Sequence, residues 1–167
     1  MVRIIIGITG TPGTGKKSVG KLLAINLNYE LVDINSFVKG EEILKRELNN
    51  YLKDKRAVVI GHLLPYVLDK RGIRLIVVLR CHPYELAKRL EKRGYDPLKV
   101  KENVSAEILG IILYDTVKRF GKGKVCEIDT TNRREEEVVK DILDLLEYRK
   151  RKVLGLVDWL SLVEKDK

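Results

Sequence analysis

The chain has 167 residues, of which 44% are hydrophobic and 34% are charged, a composition that predicts one globular domain, residues 1–167, with a single core. Its 33 lysine and arginine residues exceed its 24 acidic residues and give a net charge of +9. Two cysteines without metal-ligand spacing, and apolar runs far too short to span a bilayer, argue against a disulfide-rich secreted protein or a membrane protein, so we expect residence in the cytoplasm.

Five short apolar segments, each typical of a buried strand, alternate with segments of helical periodicity. The predicted strands are residues 2–8, 29–33, 57–60, 75–79 and 125–128. The predicted helices are residues 16–27, 34–55, 83–93, one that begins near Pro97 and continues past Ile112, and 134–149. An apolar tail around Trp159 is expected to pack back onto this body. The alternation predicts a doubly wound parallel α/β sheet whose ligands bind at the carboxyl ends of the strands.

A glycine-rich stretch, GITGTPGTGKKSVGK from Gly7 to Lys21, follows the first predicted strand and opens the first helix. Its glycines let backbone N–H groups turn inward towards phosphate oxygens, and the positive end of the helix points at the same place. Lys16 adds a point charge that reaches the outer phosphates. The context of strand, loop and helix favours a nucleotide site over a simple glycine turn. The residues expected to bind the nucleotide here are Gly13, Thr14, Gly15, Lys16, Lys17 and Ser18.

Lys17 stands where the phosphate-loop pattern has a serine or threonine whose hydroxyl ligates Mg²⁺. A protonated lysine repels a cation, and the first hydroxyl appears only at Ser18. Two alternatives stay open: Ser18 supplies the hydroxyl, or nucleotide phosphates and waters hold most of the ion. The spacing G-x-P-G-x-G-K-x-[ST] over residues 10–18 resembles that of adenylate kinases, in which the residue after the lysine is often not a hydroxyl.

Other segments resemble the isoenzyme-6 branch of the adenylate kinases, the archaeal and nuclear type also called CINAP. The run KRLEKRGYDPLKVKENVSAEI, residues 88–108, is similar to the lid segment of that branch. Three more motifs of the branch are similar to GHL at residues 61–63, DTTN at residues 129–132 and LVDW at residues 156–159. The likeness therefore extends over nearly the whole chain.

The resemblance implies a P-loop kinase fold with five parallel strands in the order 2-3-1-4-5, flanking helices and a short helical lid. It implies reversible phosphoryl transfer from ATP to AMP, or between other nucleoside triphosphates and monophosphates, with Mg²⁺ as cofactor and with ATPase activity. It also implies a role in maturation of the small ribosomal subunit, through transient binding to a small-subunit ribosomal protein and the pre-ribosome.

By the same resemblance, Arg93 reaches the phosphates from a lid of residues 92–102, Arg133 lies near the base, and residues 30–50 form the acceptor region. The chemistry fits Arg93 independently, because an arginine on a mobile segment completes the charge around the transferred phosphate only when the lid closes. The alternative for Arg93 is an exposed arginine that ends a helix and favours its dipole.

His62 lies two residues beyond the end of the third predicted strand. From the residues alone, it either orients water or substrate near the phosphates, or is a structural histidine bonded to the backbone. The resemblance favours the functional role, and His62 joins Lys16 and Arg93 as the expected catalytic residues.

Two features depart from the family pattern. Ile60 stands where family members usually carry an acidic residue that helps to hold the hydration shell of Mg²⁺. Asp33, at the end of the second predicted strand, is the best-placed remaining carboxylate, so Ser18 and Asp33 are the expected metal residues; a helix cap is the alternative for Asp33. Only 23 residues separate Asp33 from Ala57, which is short for the acceptor region and favours ATPase over kinase activity.

Four consecutive basic residues, Arg149–Lys152, raise a further question of function. A solvated helix face and a contact with an anionic partner, either nucleotide phosphates or RNA, are equally good interpretations of this cluster. Three hypotheses stay open for the whole chain: an adenylate-kinase-type enzyme with ATPase activity, a catalytically weak nucleotide-binding switch that acts as a ribosome assembly factor, and direct RNA binding through the cluster.

Overall fold

A computed structural model describes residues 2–39, 42–43 and 45–165. The strands are β1 (Ile4–Gly10), β2 (Glu30–Asp33), β3 (Val38–Lys39), β4 (Glu42–Ile43), β5 (Arg56–Ile60), β6 (Ile73–Arg80) and β7 (Val125–Asp129). The helices are α1 (Lys16–Leu27), α2 (Lys45–Tyr51), α3 (Leu64–Val67), α4 (Pro83–Lys92), α5 (Pro97–Leu109), α6 (Ile111–Phe120), α7 (Glu135–Leu146) and α8 (Leu160–Lys165), with a 3-10 turn at Ile34–Phe37.

Five of the strands form one parallel sheet in the order β2-β5-β1-β6-β7. In chain order these are the first to fifth long strands, so the predicted order 2-3-1-4-5 and the predicted α/β fold class are confirmed. The register pairs Asp33 with Ile60, and Ile60 with Ile8. The carboxyl ends of three neighbouring strands therefore lie at one level, directly beside the loop that follows β1.

The sheet separates two apolar cores because side chains of successive strand residues point to opposite faces. Ile6 and Ile8 are buried in the core on the side of α1 and α7. Ile5 and Ile76 are buried in the core on the side of α3 and α6. Complete burial of each such side chain contributes about 2 kcal/mol, so β1, which is apolar on both faces, is held firmly at the centre.

The segment that was expected to be mostly helical, residues 34–55, folds differently. Asp33 accepts a hydrogen bond from the backbone N–H of Asn35 at 2.9 Å and so starts the 3-10 turn. The antiparallel pair of β3 and β4 follows, and among the described residues of this segment the α-helix is limited to α2. Leu48 and Leu52 are fully buried as the periodicity predicts, whereas Leu44 lies outside the described residues. The helical prediction was wrong here because a capping carboxylate and short strands divide the segment.

The helix that was expected to run from Pro97 past Ile112 is also divided. Gly110 has φ of 66°, and its N–H donates to the carbonyls of Ala106 and Glu107, which ends α5. Glycine adopts this left-handed backbone conformation without the steric cost that a Cβ atom brings. The interruption lets α6 pack against α3, on the far side of the sheet from α1. Within the described residues, none of the helices has the length and apolar character needed to cross a membrane.

Candidate functional site

A cavity of about 270 Å³ opens at the carboxyl ends of β1, β2 and β5. It brings together eight residues that the sequence predicted for the site: Gly13, Gly15, Lys16, Lys17, Ser18, Asp33, His62 and Arg93. Its remaining lining residues are Pro12, Asn35, Ile60, Gly61 and Tyr95.

A second cavity of about 190 Å³ lies on the other side of the loop, towards β7 and α7. Gly13, Gly15, Ser18 and Arg93 line both cavities. The other two predicted residues, Thr14 and Arg133, line only the second of these two, together with Arg89, Thr130, Glu135, Val138 and Val19. The site is thus one long cleft divided by the loop, with room for ligand groups on both sides.

The loop is rigid because its own hydroxyls hold its backbone. Thr11 and Thr14 are fully buried, and the Thr14 hydroxyl donates to the Thr11 carbonyl at 2.8 Å. Gly13 has φ of 93°, and a Cβ there would lie 2.9 Å from Leu86 and 3.0 Å from Leu90 of α4. Only glycine fits this turn, because the conformation is strained for other residues and α4 packs directly on it. The N-terminus of α1 begins immediately after the loop, so its free N–H groups face the cleft.

Lys16 is held against the loop in this state. Its ammonium group donates to the carbonyls of Gly10 and Thr11, both at 3.0 Å. Burial, with a smaller contribution from the charge of Arg93, lowers its pKa to about 7. An anionic ligand in the cleft would stabilise the protonated form and compete with the two carbonyls for it.

Lys17 and Ser18 are exposed in the first turn of α1, and both border the cleft. The two neighbouring lysines therefore have different environments: Lys16 is folded against the loop, and Lys17 is in contact with solvent. The hydroxyl that the loop pattern needs one residue earlier is present at the cleft as Ser18.

His62 and Asp33 both line the first cavity, and the charge of Asp33 acts on the imidazole. The pKa of His62 is lowered, first by burial and then by the charge of Lys16, so the imidazole is neutral near pH 7. Asp33 caps the 3-10 turn through one carboxylate oxygen and also lines the cavity, so the capping role is observed and does not exclude a ligand role.

Ile60 is only 3% exposed, and it packs against α1 at Gly20, where a Cβ would meet its Cγ2 atom at 2.5 Å. The side chain that replaces the expected acid is therefore part of the core. The carboxylate of Asp33 lies on the neighbouring strand at the same level, because Asp33 and Ile60 are register partners.

The oxygen donors at this end of the cleft suit a hard cation. The Ser18 hydroxyl, the Asp33 carboxylate and the Asn35 amide all border the first cavity, and oxygen ligands of this kind are those that Mg²⁺ accepts. In the part of the chain that the structure describes, no group of three or more His, Cys, Asp or Glu residues could hold a metal. Three oxygen ligands fill only part of the octahedral shell of Mg²⁺, so an ion bound here would keep several of its waters.

The predicted lid, residues 92–102, is formed by the end of α4, a turn and the start of α5. All its residues are exposed except Val100, which packs on Leu86 and Leu90. Arg93 caps the end of α4, since its backbone N–H donates to the carbonyl of Arg89. Its exposed side chain borders both cavities. Arg93 therefore ends a helix, as one interpretation predicts, and also lies where it could contact a ligand, as the other predicts.

Arg89 is a site residue that the sequence analysis missed. Its guanidinium donates to the carbonyl of Gly13 at 3.3 Å and to the carbonyl of Thr130 at 3.1 Å, which ties α4 to the loop and to the turn after β7. The available signal was its spacing of four residues from Arg93 on one helical face. Arg133 is bound to Asp141 at 2.7 Å, so its side chain is fixed beside the second cavity.

Comparison with proteins of known sequence identifies archaeal relatives over most of the chain. The chain is 40% identical over 170 residues to "Putative adenylate kinase" of Thermococcus gammatolerans, with 93% of each chain covered. It is 39% identical to the protein of the same name from Pyrococcus abyssi, covering 93% of this chain and 91% of that protein. The corresponding protein of Methanocaldococcus jannaschii is 37% identical, with 92% of each chain covered.

A protein-family model described as an AAA domain matches residues 40–110, a range that begins after the glycine-rich loop. Among solved structures, a gluconokinase from Sinorhizobium meliloti matches 89% of this chain and 94% of its own with a TM-score of 0.64 and 18% identity. A shikimate kinase from Acinetobacter baumannii matches 89% of this chain and 96% of its own with a TM-score of 0.64 and 20% identity. At these identities the structural likeness concerns the fold alone.

Proposed function

The chain belongs to the family of archaeal proteins named "Putative adenylate kinase", and we propose that it transfers the terminal phosphate of ATP to AMP, reversibly, to form two molecules of ADP. One observation carries the proposal: a glycine-rich loop, its lysine and the side chains of Ser18, Asp33, His62 and Arg93 converge on a single cleft.

The divided cleft supports an assignment of donor and acceptor sides. The phosphates of ATP bind the inward-facing N–H groups of the loop, and its base lies in the second cavity near Arg133, because the loop joins the two compartments. The monophosphate lies in the first cavity near Asp33 and Asn35. On binding, Lys16 exchanges its two carbonyl partners for phosphate oxygens, which restores the charged form of its side chain.

The protein contributes positioning and charge rather than covalent chemistry. Lys16 and Arg93 offset the charge of the transferring oxygens, and Arg93 does so fully when the lid of residues 92–102 closes and excludes water. Neutral His62 accepts or donates a hydrogen bond at the acceptor end and orients the attacking oxygen. Residues 30–50 form the acceptor region, and the whole chain acts as one kinase domain.

Ser18 and Asp33 are the residues that would hold a Mg²⁺ ion beside the phosphates. When bound, the ion supplies neutralisation of the phosphate charge. Ile60 contributes no oxygen, so the ion depends on fewer protein ligands than the family pattern provides. The short acceptor region also lets water compete with AMP, and ATPase activity accompanies the kinase activity.

The deciding experiment measures ADP formation from ATP and Mg²⁺, with and without AMP, beside a Lys16→Met variant. We expect AMP to raise the rate at least tenfold over the basal ATPase rate, and the variant to lose both activities. A folded chain that binds ATP and forms no ADP under either condition would disprove the enzymatic proposal.

A second candidate function is a nucleotide-binding switch of the isoenzyme-6 or CINAP branch that acts in the cytoplasm during maturation of the small ribosomal subunit. The burial of Ile60 in place of an acid favours it, because it weakens the metal site and leaves nucleotide binding intact. A switch requires that a small-subunit ribosomal protein bind the ATP-bound and nucleotide-free forms with different affinities. Equal affinities in a pull-down or in calorimetry would eliminate this candidate.

A basic cavity supports RNA contact through Arg149–Lys152. It has a volume of about 470 Å³, and its lining includes Arg74, Lys124, Lys150, Arg151, Lys152 and Tyr148. Tyr148 is 88% exposed, and the Arg74 guanidinium lies 6.0 Å from its ring centre, so an aromatic face is available beside the cations. Arg149 is already paired with Asp144 and Glu147, which leaves Arg151 as the better test residue.

The test is the binding of a labelled 20-nucleotide poly(U) between 50 and 200 mM salt. We expect affinity to fall steeply with salt, and Arg151→Ala to reduce the slope of log affinity against log salt by about one. Lys101→Ala on α5 serves as the control. If the affinity for RNA does not depend on salt, RNA contact through Arg149–Lys152 is excluded.

A further inference from the structure

Glu107 of α5 is a buried carboxylate that joins four parts of the fold. It is 2% exposed, and its Oε1 atom accepts a hydrogen bond from the Thr11 hydroxyl of the phosphate loop at 3.0 Å. Its Oε2 atom accepts from Arg80 Nε at 3.0 Å, from the N–H of Cys81 at 2.9 Å and from the indole N–H of Trp159 at 3.2 Å. The carboxylate therefore connects the loop, the end of β6 and the C-terminal tail.

Arg80 carries the positive charge of this network. It binds Glu107 on one side and donates from Nη1 to Glu127 on the other at 3.1 Å, and all three side chains are nearly inaccessible to water. Two carboxylates and one guanidinium leave a net negative charge in the interior, so each remaining N–H and O–H donor is needed to satisfy it. The Trp159 indole and the Thr11 hydroxyl supply two of these donors.

The tail is attached to the body by this network and by Leu154, which packs against the core. Glu127 donates from its N–H to the Val153 carbonyl at 2.9 Å, and it accepts the N–H of Gly155 at 2.6 Å. Trp159 then reaches Glu107, and the edge of its ring meets the imidazole of His82 with centres 5.2 Å apart. The helix α8 that follows has no buried residue.

Thr11 links the network to the catalytic lysine. Its hydroxyl binds Glu107, and its carbonyl accepts hydrogen bonds from Thr14 and from Lys16. The negative charge of Glu107 also opposes the lowering of the pKa of Lys16. A change in the orientation of Thr11 therefore changes both the loop backbone and the position of the lysine.

We propose that Glu107 is a positioning residue for the phosphate loop and that Trp159 fixes the geometry of its carboxylate, so that the docked tail and the bound nucleotide stabilise each other. The inference rests on the proposed nucleotide site. A ligand that tightens the loop at Thr11 tightens the tail at Trp159, and by reciprocity a loosened tail lowers nucleotide affinity by the same factor. Glu107 and Trp159 act through Thr11 and do not contact the nucleotide.

Trp159 is the only tryptophan of the sequence, so its fluorescence reports directly on the tail. Titration with ATP and Mg²⁺, excited at 295 nm, is expected to give a saturable change in emission with the same Kd as calorimetry. Thr11→Val removes the hydroxyl and keeps the size of the side chain. It is expected to abolish the change in emission even at saturating ATP. Emission that is unchanged in the wild-type chain at saturation would overturn the inference.

Substitutions in the tail test the same coupling, because they are expected to change the affinity for ATP. Trp159→Phe keeps an aromatic ring and loses the indole N–H, and we expect the Kd for ATP to rise about fivefold to tenfold, the lower part of the usual range for coupled sites. At saturating ATP and AMP, kcat should remain near the wild-type value, since Trp159 lines neither cavity of the cleft and the bound nucleotide itself tightens the loop. Leu160→Ala, at the exposed neighbouring position, is the matched control and should leave the Kd unchanged.

The double variant Thr11→Val with Trp159→Phe separates coupling from general destabilisation. Two residues that act through one carboxylate give a combined loss no larger than the greater single loss, whereas additive losses would refute the shared path. If the wild-type chain binds no ATP, the proposed function fails and the inference fails with it. If the wild-type chain binds ATP and Trp159→Phe binds it equally well, only the inference fails.

Discussion

The two sides of the cleft differ in how firmly the fold holds them. On the phosphate-loop side, Thr11 and Thr14 are buried, hydrogen-bonded and anchored to the central strand of the sheet. On the side proposed for the acceptor, Asp33 leads into a 3-10 turn and a pair of two-residue strands in which Val38 and Lys39 are exposed. The phosphate-loop side is therefore part of the core, whereas the other side is a short segment that follows the edge strand β2.

This difference indicates that nucleotide binding and phosphoryl transfer depend on separate parts of the molecule. A site whose residues are locked by packing loses little entropy when its ligand binds, whereas short exposed elements must be ordered by the ligand. Changes in the loop should therefore reduce both ATP affinity and turnover, and changes on the acceptor side should reduce turnover more than ATP affinity.

The largest effect is expected from the two adjacent lysines. Lys16→Met should reduce the rate of ADP formation at least about a hundredfold, because it removes a charge aimed at the transferring phosphate. Lys17→Met removes an exposed charge only one residue away and should cost about fivefold or less. The measurement is kcat/KM for ATP in both variants. If kcat/KM falls equally in both variants, the different environments of Lys16 and Lys17 do not affect activity.

Gly13→Ala tests the rigidity of the loop side. The substitution forces a strained backbone with φ of 93° and a Cβ that lies 2.9 Å from Leu86, so the free energy of unfolding should fall by about 1–3 kcal/mol. Gly123→Ala is the matched control, because no atom lies within 4 Å of the added Cβ. Guanidinium unfolding of both variants measures the difference. A Gly13→Ala chain as stable as the control would show that the loop relaxes freely.

Asp33→Asn tests the acceptor side and the metal. Asparagine keeps an oxygen that can cap the turn, and it loses the charge, so we expect the Mg²⁺ concentration for half-maximal activity to rise about tenfold. ATP affinity measured without Mg²⁺ should not change. Asp54→Asn, an exposed carboxylate outside the cleft, is the control. If the variant reaches half-maximal activity at the same Mg²⁺ concentration as the wild-type chain, Asp33 is not part of the metal site.

The smallest effect is expected in the number of protons that the chain takes up when ATP binds. The pKa of Lys16 is about 7 in the free chain, so at pH 8 most of this side chain is neutral, and ATP phosphates favour its protonated form. Binding at pH 8 should therefore take up about one proton, and affinity should decrease as pH rises above 7. Calorimetry in two buffers of different ionisation enthalpy measures the uptake. Lys16→Met should show none, and an equal uptake in that variant would assign the proton to another group.

Local patterns were sufficient to predict the loop side of the site. Glycines, a lysine and a helix in direct sequence fix the backbone within a few residues, and α1 begins and ends at the predicted residues, Lys16 and Leu27. The segment that follows β2, which we propose as the acceptor region, could not be predicted in the same way. Its fold depends on Asp33, which caps a turn and stops the helical periodicity of the following segment.

The sequence by itself determined the five strands of the parallel sheet and the phosphate loop, because these follow from short-range periodicity and from residues that are neighbours in the chain. Only the tertiary structure decided which distant residues support the loop. Glu107 binds Thr11 across 96 residues, and Trp159 reaches the same carboxylate across 52. Such contacts have no signature in a single sequence, because a buried carboxylate is stable only where the fold brings donors to it.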